Sequence, residues 1–132
     1  MNNRKLPDYR LKQKILYIDN TSPDVLQNYG NLFLEEGCVS DALDFYQKAK
    51  HAEGIQKIKD MALNAGDVML FQHAAKALNM EIKQADWESI SQKAISLKKY
   101  NFAKYALGKA NNQEGLNSIL KIMEAEYHGK DE

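Results

Sequence analysis

The chain has 132 residues, of which 44% are hydrophobic and 27% are charged, and its 18 basic and 18 acidic residues give no net charge. This length is enough to bury the core of one domain without disulfides or metals, and the single cysteine, Cys38, cannot form a bridge within the chain. No apolar run approaches the roughly 18 residues of a membrane helix, and the first residues lack an apolar stretch of signal-peptide length. Composition therefore argues against a disulfide-rich secreted protein and a membrane-spanning one, and it predicts a cytoplasmic protein.

The first predicted element is a basic leading helix with its linker, over residues 1–21. Apolar residues recur at helical spacing in the stretch 7–18, and five cations around it oppose a single acid, whereas residues 19–44 contain six acids and no Lys or Arg. Because opposite charges attract, this arm is a candidate ligand for the acidic groove described below, either in its own molecule or in a neighbour, and the second case produces a homo-oligomer. The cations are Arg4, Lys5, Arg10, Lys12 and Lys14.

The next two elements form a pair of amphipathic helices over residues 24–50. Ser22 is suited to cap the first helix, and Pro23 is suited to its first position. Gly37 lies in the turn between the helices, where a left-handed residue commonly ends a helix. Both helices carry apolar or small residues at i, i+3, i+4 and i+7, and their first anchors are sixteen residues apart: Leu26, Tyr29, Gly30 and Phe33, then Ala42, Phe45, Tyr46 and Ala49.

The same frame recurs twice more, over residues 53–79 and 85–111, and it predicts one repeat domain over residues 22–128. A link of the form Ala-x-x-x-Glu-Gly-hydrophobic ends at Ile55 and again at Leu116. The second copy leads into a last predicted helix over residues 113–127, followed by an acidic tail at 129–132. An unpaired terminal helix with a polar outer face is typical of the cap of a repeat stack.

The first pair resembles a tetratricopeptide repeat, in the segments 31–37 (Asn-Leu-Phe-Leu-Glu-Glu-Gly) and 41–49 (Asp-Ala-Leu-Asp-Phe-Tyr-Gln-Lys-Ala). Trp87 lies at the place of that family's leading tryptophan, whereas Lys98 replaces its turn glycine. The resemblance implies an all-α fold, an α-α superhelix built as a right-handed solenoid of three helix pairs with a leading helix and a capping helix. It also implies binding of another protein. Repeat lengths of 29 and 32 residues are similar to those of coat and transport-scaffold subunits, which keeps an assembly subunit as an alternative.

No motif in the sequence indicates catalysis or a cofactor. Cys38 lies in a predicted turn with no histidine close to it in this frame, and adjacent acids at helix ends are usually solvated. Neither of the glycine-rich phosphate-binding motifs is present. The three histidines fall on different helical units without metal-ligand spacing: His51, His73 and His128. The sequence thus predicts a protein that is not an enzyme and needs no metal, cofactor or small-molecule substrate.

The resemblance also implies that the first helix of each pair lines a concave groove that binds the partner. These inward positions are polar and acidic, which favours a basic peptide or protein, and they include a strip of Leu34, Leu63 and Ile95 that core packing between the helices does not require. In the alternative reading, this strip packs against the leading or terminal helix. The predicted groove residues are Gln27, Asn31, Leu34, Glu35, Gln56, Asp60, Leu63, Asn64, Glu88, Gln92 and Ile95.

The predicted function is therefore that of a non-enzymatic adaptor or scaffold that binds a protein or peptide. An alternative is a nucleic-acid-associated regulatory protein whose basic N-terminal helix neutralises phosphates. That alternative predicts an affinity that falls steeply with salt and does not respond to Leu34→Glu or Leu63→Glu.

Overall fold

The computed structural model describes residues 6–130, and these residues contain eight helices and no strand. The predicted all-α fold class is confirmed. Each predicted helical segment contains a helix, and the last one continues to residue 130. Arg4 and Lys5 of the basic arm and residues 131–132 of the acidic tail lie outside the described residues. The helices are α1 (Tyr9–Tyr17), α2 (Pro23–Glu35), α3 (Val39–Ala49), α4 (Ala52–Ala65), α5 (Val68–Ala77), α6 (Gln84–Ser96), α7 (Tyr100–Lys109) and α8 (Gln113–Lys130).

The chain divides into two compact units, one up to Ile58 and one from Lys59, and the boundary falls within α4. The first unit holds α1, α2, α3 and the start of α4, and the second holds the remaining helices. The single repeat domain over residues 22–128 stays a prediction. Among the helices of residues 6–130, none combines the length and the apolar character needed to cross a membrane.

Side-chain caps determine where several of these helices begin. The Ser22 hydroxyl accepts a hydrogen bond from the backbone N–H of Val25, and Pro23 occupies the first helical position, as predicted. Asp8 caps α1 and Asp67 caps α5 in the same way. Each such cap satisfies a backbone donor that has no partner within the helix, and it is worth about 1 kcal/mol.

A residue in the left-handed conformation closes every turn from α2 to α8. Within the helix pairs, two of these residues are glycines and one is a lysine, and they are separated by 29 and 32 residues. The residues that close the links between the pairs are separated by the same two distances in sequence. The backbone conformation therefore repeats with the period of the apolar anchors. The residues are Gly37, Gly66 and Lys98 within the pairs, and Lys50, Asn79 and Asn111 between them.

Lys98 holds a φ of 58° at the turn position where the two earlier pairs have glycine. We expect Lys98→Gly to raise the free energy of unfolding by about 0.5–1 kcal/mol, because glycine adopts this conformation without the steric cost of a Cβ. Urea unfolding of the two proteins measures the change. Lys93→Gly, at an exposed helical lysine of α6, is the matched control and should lose about 1 kcal/mol. A similar loss at both positions would contradict the prediction.

The ring of Tyr46 of α3 lies against two glycines of the first unit, one on α2 and one on α4. A Cβ added at Gly30 of α2 would lie 2.6 Å from one edge of the Tyr46 ring, and a Cβ at Gly54 of α4 would lie 2.8 Å from the other edge. The Tyr46 hydroxyl donates a hydrogen bond to Asn31 Oδ1 over 2.6 Å. Burial, together with the charge of Glu35, raises the pKa of Tyr46. The two glycines thus make room for a buried aromatic ring with a satisfied hydroxyl.

The second unit buries two apolar clusters. Trp87 of α6 lies in the first, which joins residues of α4, α5, α6 and α7, and its ring forms a T-shaped pair with the Tyr105 ring at a centroid distance of 6.1 Å. The Tyr105 hydroxyl donates a hydrogen bond to Gln72 of α5 over 3.1 Å. Ile119 of α8 lies in the second cluster and is 1% exposed. The last helix is therefore held by the same kind of apolar burial that holds the helix pairs.

Candidate partner-binding site

The eleven predicted groove residues lie on α2, α4 and α6, and none of them is buried. Each predicted position is therefore at least partly accessible within its own unit. The half-buried members are Gln27, Leu34, Gln56, Leu63, Glu88 and Ile95. The exposed members are Asn31, Glu35, Asp60, Asn64 and Gln92.

Two of the three residues of the apolar strip pack against buried clusters, which the sequence did not predict. Leu63 packs against the Trp87 cluster, and Ile95 packs against the cluster that contains Ile119 of α8. The expectation that core packing does not require these two residues is wrong, because each contributes part of its surface to a buried cluster. The cluster beside Ile95 includes Ile119 of the terminal helix, and the alternative reading, that the strip packs against that helix, stays a prediction. Both side chains nevertheless remain half-buried and keep accessible surface.

Three predicted groove residues, Glu88, Gln92 and Ile95, line one cleft of about 200 Å³ between α6 and α8. We name it the α6–α8 cleft. Its apolar lining consists of Ile95 with Leu107, Ile119 and Ile122. Its polar lining includes Glu88 and Gln92 with Asn112 and Ser118. A largely apolar concavity with a few polar groups is the usual form of a binding site for a side chain or small group.

Close helix packing at the start of α8 forms one wall of this cleft. The Asn112 side chain accepts a hydrogen bond from the backbone N–H of Gly115 over 2.8 Å. A Cβ at Gly115 would lie 2.8 Å from Leu107 Cδ2, so glycine lets α8 approach α7 without displacing that side chain. Gly54 at the start of α4 has the same role against Tyr46 of α3. Close approach thus explains the Glu-Gly link that occurs twice in the sequence.

The side chains that line the cleft can bind both an apolar group and a polar group. Its apolar lining can bury an apolar side chain, and the Glu88 carboxylate can accept a hydrogen bond from a cationic or amide group beside it. In the part of the chain that the structure describes, no group of three His, Cys, Asp or Glu is placed to hold a metal ion. Cys38 is half-buried at the start of α3, and His73 is exposed on α5. These positions place neither side chain in the cleft.

Lys12, in the middle of α1, binds two acidic side chains of α3. Lys12 is buried, and its Nζ lies 2.5 Å from Asp41 Oδ1 and 2.8 Å from Asp44 Oδ2. Burial lowers the pKa of Lys12, but hydrogen bonds to both carboxylates and their charges outweigh burial and raise the pKa overall. Lys48 of α3 adds a contact, since its Nζ lies 5.9 Å from the centroid of the Tyr17 ring.

For Lys12, this arrangement corrects the expectation that the basic arm binds the groove. The acids that bind Lys12 lie on α3 and are not groove residues, so within the first unit this cation is not directed at the acidic positions of α2. Lys12 is also unavailable to a phosphate group or to a neighbouring molecule. The contrast between a basic start and an acidic first pair signalled the attraction, but it did not signal which helix of the pair receives it.

Comparisons of the chain with known protein families, with curated proteins and with solved structures gave no match. The geometry of the α6–α8 cleft and the charges around it are therefore the features that bear on function.

Proposed function

We propose that this chain is a non-enzymatic protein-interaction module, an adaptor or scaffold, whose α6–α8 cleft binds an apolar side chain of a protein or peptide partner. One observation carries the proposal. The family resemblance implies that Glu88, Gln92 and Ile95 face a partner, and all three line the same partly apolar cleft. Ile122 at the cleft is 37% exposed, so apolar surface remains there for a ligand to cover.

The partner's chemistry follows from the polar lining. Glu88 is the only ionised side chain among the described residues that line the cleft, and Gln92 and Asn112 add amide groups. A basic or amide-bearing residue beside the apolar anchor complements this set, because it pairs with the carboxylate and excludes an acidic neighbour. The partner segment is thus an apolar residue flanked by Lys, Arg, Asn or Gln.

The proposal includes the stacking of the helix pairs into a right-handed solenoid of tetratricopeptide-like repeats. The recurrence of left-handed residues at steps of 29 and 32 residues supports it. An assembly subunit built from such repeats is the alternative within the same class. The proposed compartment is the cytoplasm, since a single cysteine leaves no disulfide to form within the chain.

A pair of variants on α8 tests the cleft. Ile122→Glu places a charge in the cleft, whereas Leu120→Glu makes the same change at a residue that is 44% exposed and does not line it. Each purified protein is used as bait in a lysate, and the captured proteins are quantified by mass spectrometry. We expect Ile122→Glu to lower the capture of a specific partner at least about tenfold, a loss of about 1.4 kcal/mol, while Leu120→Glu preserves it. Equal capture by both variants would rule out the cleft as the binding site.

A further inference from the structure

A second concavity lies on the second unit between α7 and α8. Its volume is about 620 Å³, and it is lined by Asn101, Lys104, Tyr105, Gly108, Lys109 and Leu116. We name it the α7–α8 notch. Tyr105 and Leu116 are half-buried and the other four lining residues are exposed, so the notch is an open surface. None of these six described residues carries a negative charge.

The notch lies beside α7 and α8 in the same way that α7 lies beside α5 and α6. Within the second unit, α7 packs against both α5 and α6, and its Tyr105 donates a hydrogen bond to Gln72 of α5. Lys104 lies on α7 at the position that Gln72 has on α5, one step of 32 residues later. A helix placed in the notch would contact α7 and α8 as α7 contacts α5 and α6. Because Lys104 corresponds to Gln72, the group of that helix that faces Lys104 corresponds to the Tyr105 hydroxyl, which faces Gln72.

The charges define the chemistry of that helix. The Tyr105 ring, the bare backbone at Gly108 and Leu116 provide an apolar surface, and Lys104 and Lys109 provide cations beside it. The Lys109 ammonium lies 5.5 Å from the centroid of the Tyr105 ring, so it is held close to this surface. Because none of the lining residues is buried, the notch does not enclose a small molecule in the way that small-ligand sites do.

We propose that the α7–α8 notch binds an amphipathic helix of a partner protein. The apolar stripe of that helix covers Tyr105 and Leu116, and its acidic flank pairs with Lys104 and Lys109. This surface is distinct from the α6–α8 cleft, and it extends the proposed function to a second partner segment of opposite charge.

Gly108 provides a variant that blocks the notch without disturbing the fold. A Cβ added at Gly108 meets no atom within 4 Å, so Gly108→Leu projects into open space and improves the helix propensity of α7. The double variant Lys104→Glu/Lys109→Glu reverses the charge. Lys121→Glu, at an exposed lysine of α8 that does not line the notch, is the matched charge control.

The experiment selects binders of the full chain from a displayed library of random helical peptides and measures their dissociation constants. We expect selected peptides to carry apolar residues at helical spacing with Asp or Glu beside them. Gly108→Leu and the charge reversal should each weaken them at least about tenfold, and Lys121→Glu should not. Ile122→Glu should also leave them unchanged, which separates this result from the test of the α6–α8 cleft.

Other outcomes would overturn the proposal. These are the absence of enriched peptides, enrichment of basic peptides, and equal binding to the Gly108→Leu variant. Light scattering of the chain alone completes the test. A dimer that Gly108→Leu dissociates would assign the notch to a second copy of this chain instead of a partner helix.

Discussion

Replacing Gly66 by alanine should lower the free energy of unfolding by about 3 kcal/mol. Gly66 has a φ of 63°, which costs an alanine about 1–2 kcal/mol. The added Cβ would also lie 3.0 Å from Cα and 3.1 Å from the backbone N of Ala94 on α6. Because these are backbone atoms of a buried residue, they cannot rotate away, and overpacking of this kind adds about 1–3 kcal/mol. Chemical denaturation of the two proteins measures the loss.

Gly37→Ala is the matched control for that prediction. Gly37 has a φ of 78° in the corresponding turn of the first helix pair, but a Cβ there meets no atom within 4 Å. Only the conformational cost remains, so the expected loss is about 1 kcal/mol. Gly66→Asn isolates the cost of the Cβ contact with Ala94, since asparagine tolerates the left-handed conformation yet has a Cβ. Equal losses for Gly66→Ala and Gly37→Ala would show that the contact with Ala94 has no energetic weight.

The second large effect is expected for Lys12→Met, which should lower the free energy of unfolding by about 2 kcal/mol. The Lys12 side chain is only 10% exposed and makes two charge-assisted hydrogen bonds, each worth about 1.5–3 kcal/mol in a buried site. The Asp41 and Asp44 side chains are 39% and 43% exposed, so solvent screening reduces that sum. Methionine keeps the apolar stem, and the loss therefore reports the ammonium group.

The same pair of proteins tests the pH dependence. The pKa of Lys12 is raised above its ordinary value of 10.5, so its contribution is complete below that pH and is lost as the pH rises through the folded-state value. Unfolding measured from about pH 9 to about pH 12 should show a larger alkaline loss for the wild type than for Lys12→Met. The raised pKa of Tyr46 also lowers stability at alkaline pH, but it acts in both proteins. Identical alkaline losses would contradict the role of Lys12.

Local features of the fold were predictable from the sequence because they depend on a few neighbouring residues. The cap at Ser22, the first helical position at Pro23 and the left-handed Gly37 all lie where the sequence placed them. Lys98 was identified only as a departure from the family pattern, yet it adopts the glycine conformation. Packing of α6 against α7 accounts for this, because the turn between them must close whatever residue occupies it.

The candidate site was predictable only in part, because its second wall depends on contacts between distant segments. The family resemblance implied the α6 residues of the cleft, but it did not show that Ile119 and Ile122 of α8 lie opposite them. The repeated Glu-Gly link that ends at Leu116 was the available signal, since it marked α8 as another first helix. The pairing of Lys12 with α3 joins residues about 30 positions apart, and no local pattern specifies such a contact.

The short turns also bear on how the chain folds. Gly37 and Lys98 each lie in a turn of three residues, so α2 meets α3, and α6 meets α7, after a very small loop closure. Chains whose contacts are mostly local pay little entropy before those contacts form, and they fold in microseconds to milliseconds. Each unit contains at least one such hairpin, so local contacts are available to both units early in folding. During synthesis, the α2–α3 hairpin can form as soon as residue 49 leaves the ribosome, long before α8 has been made.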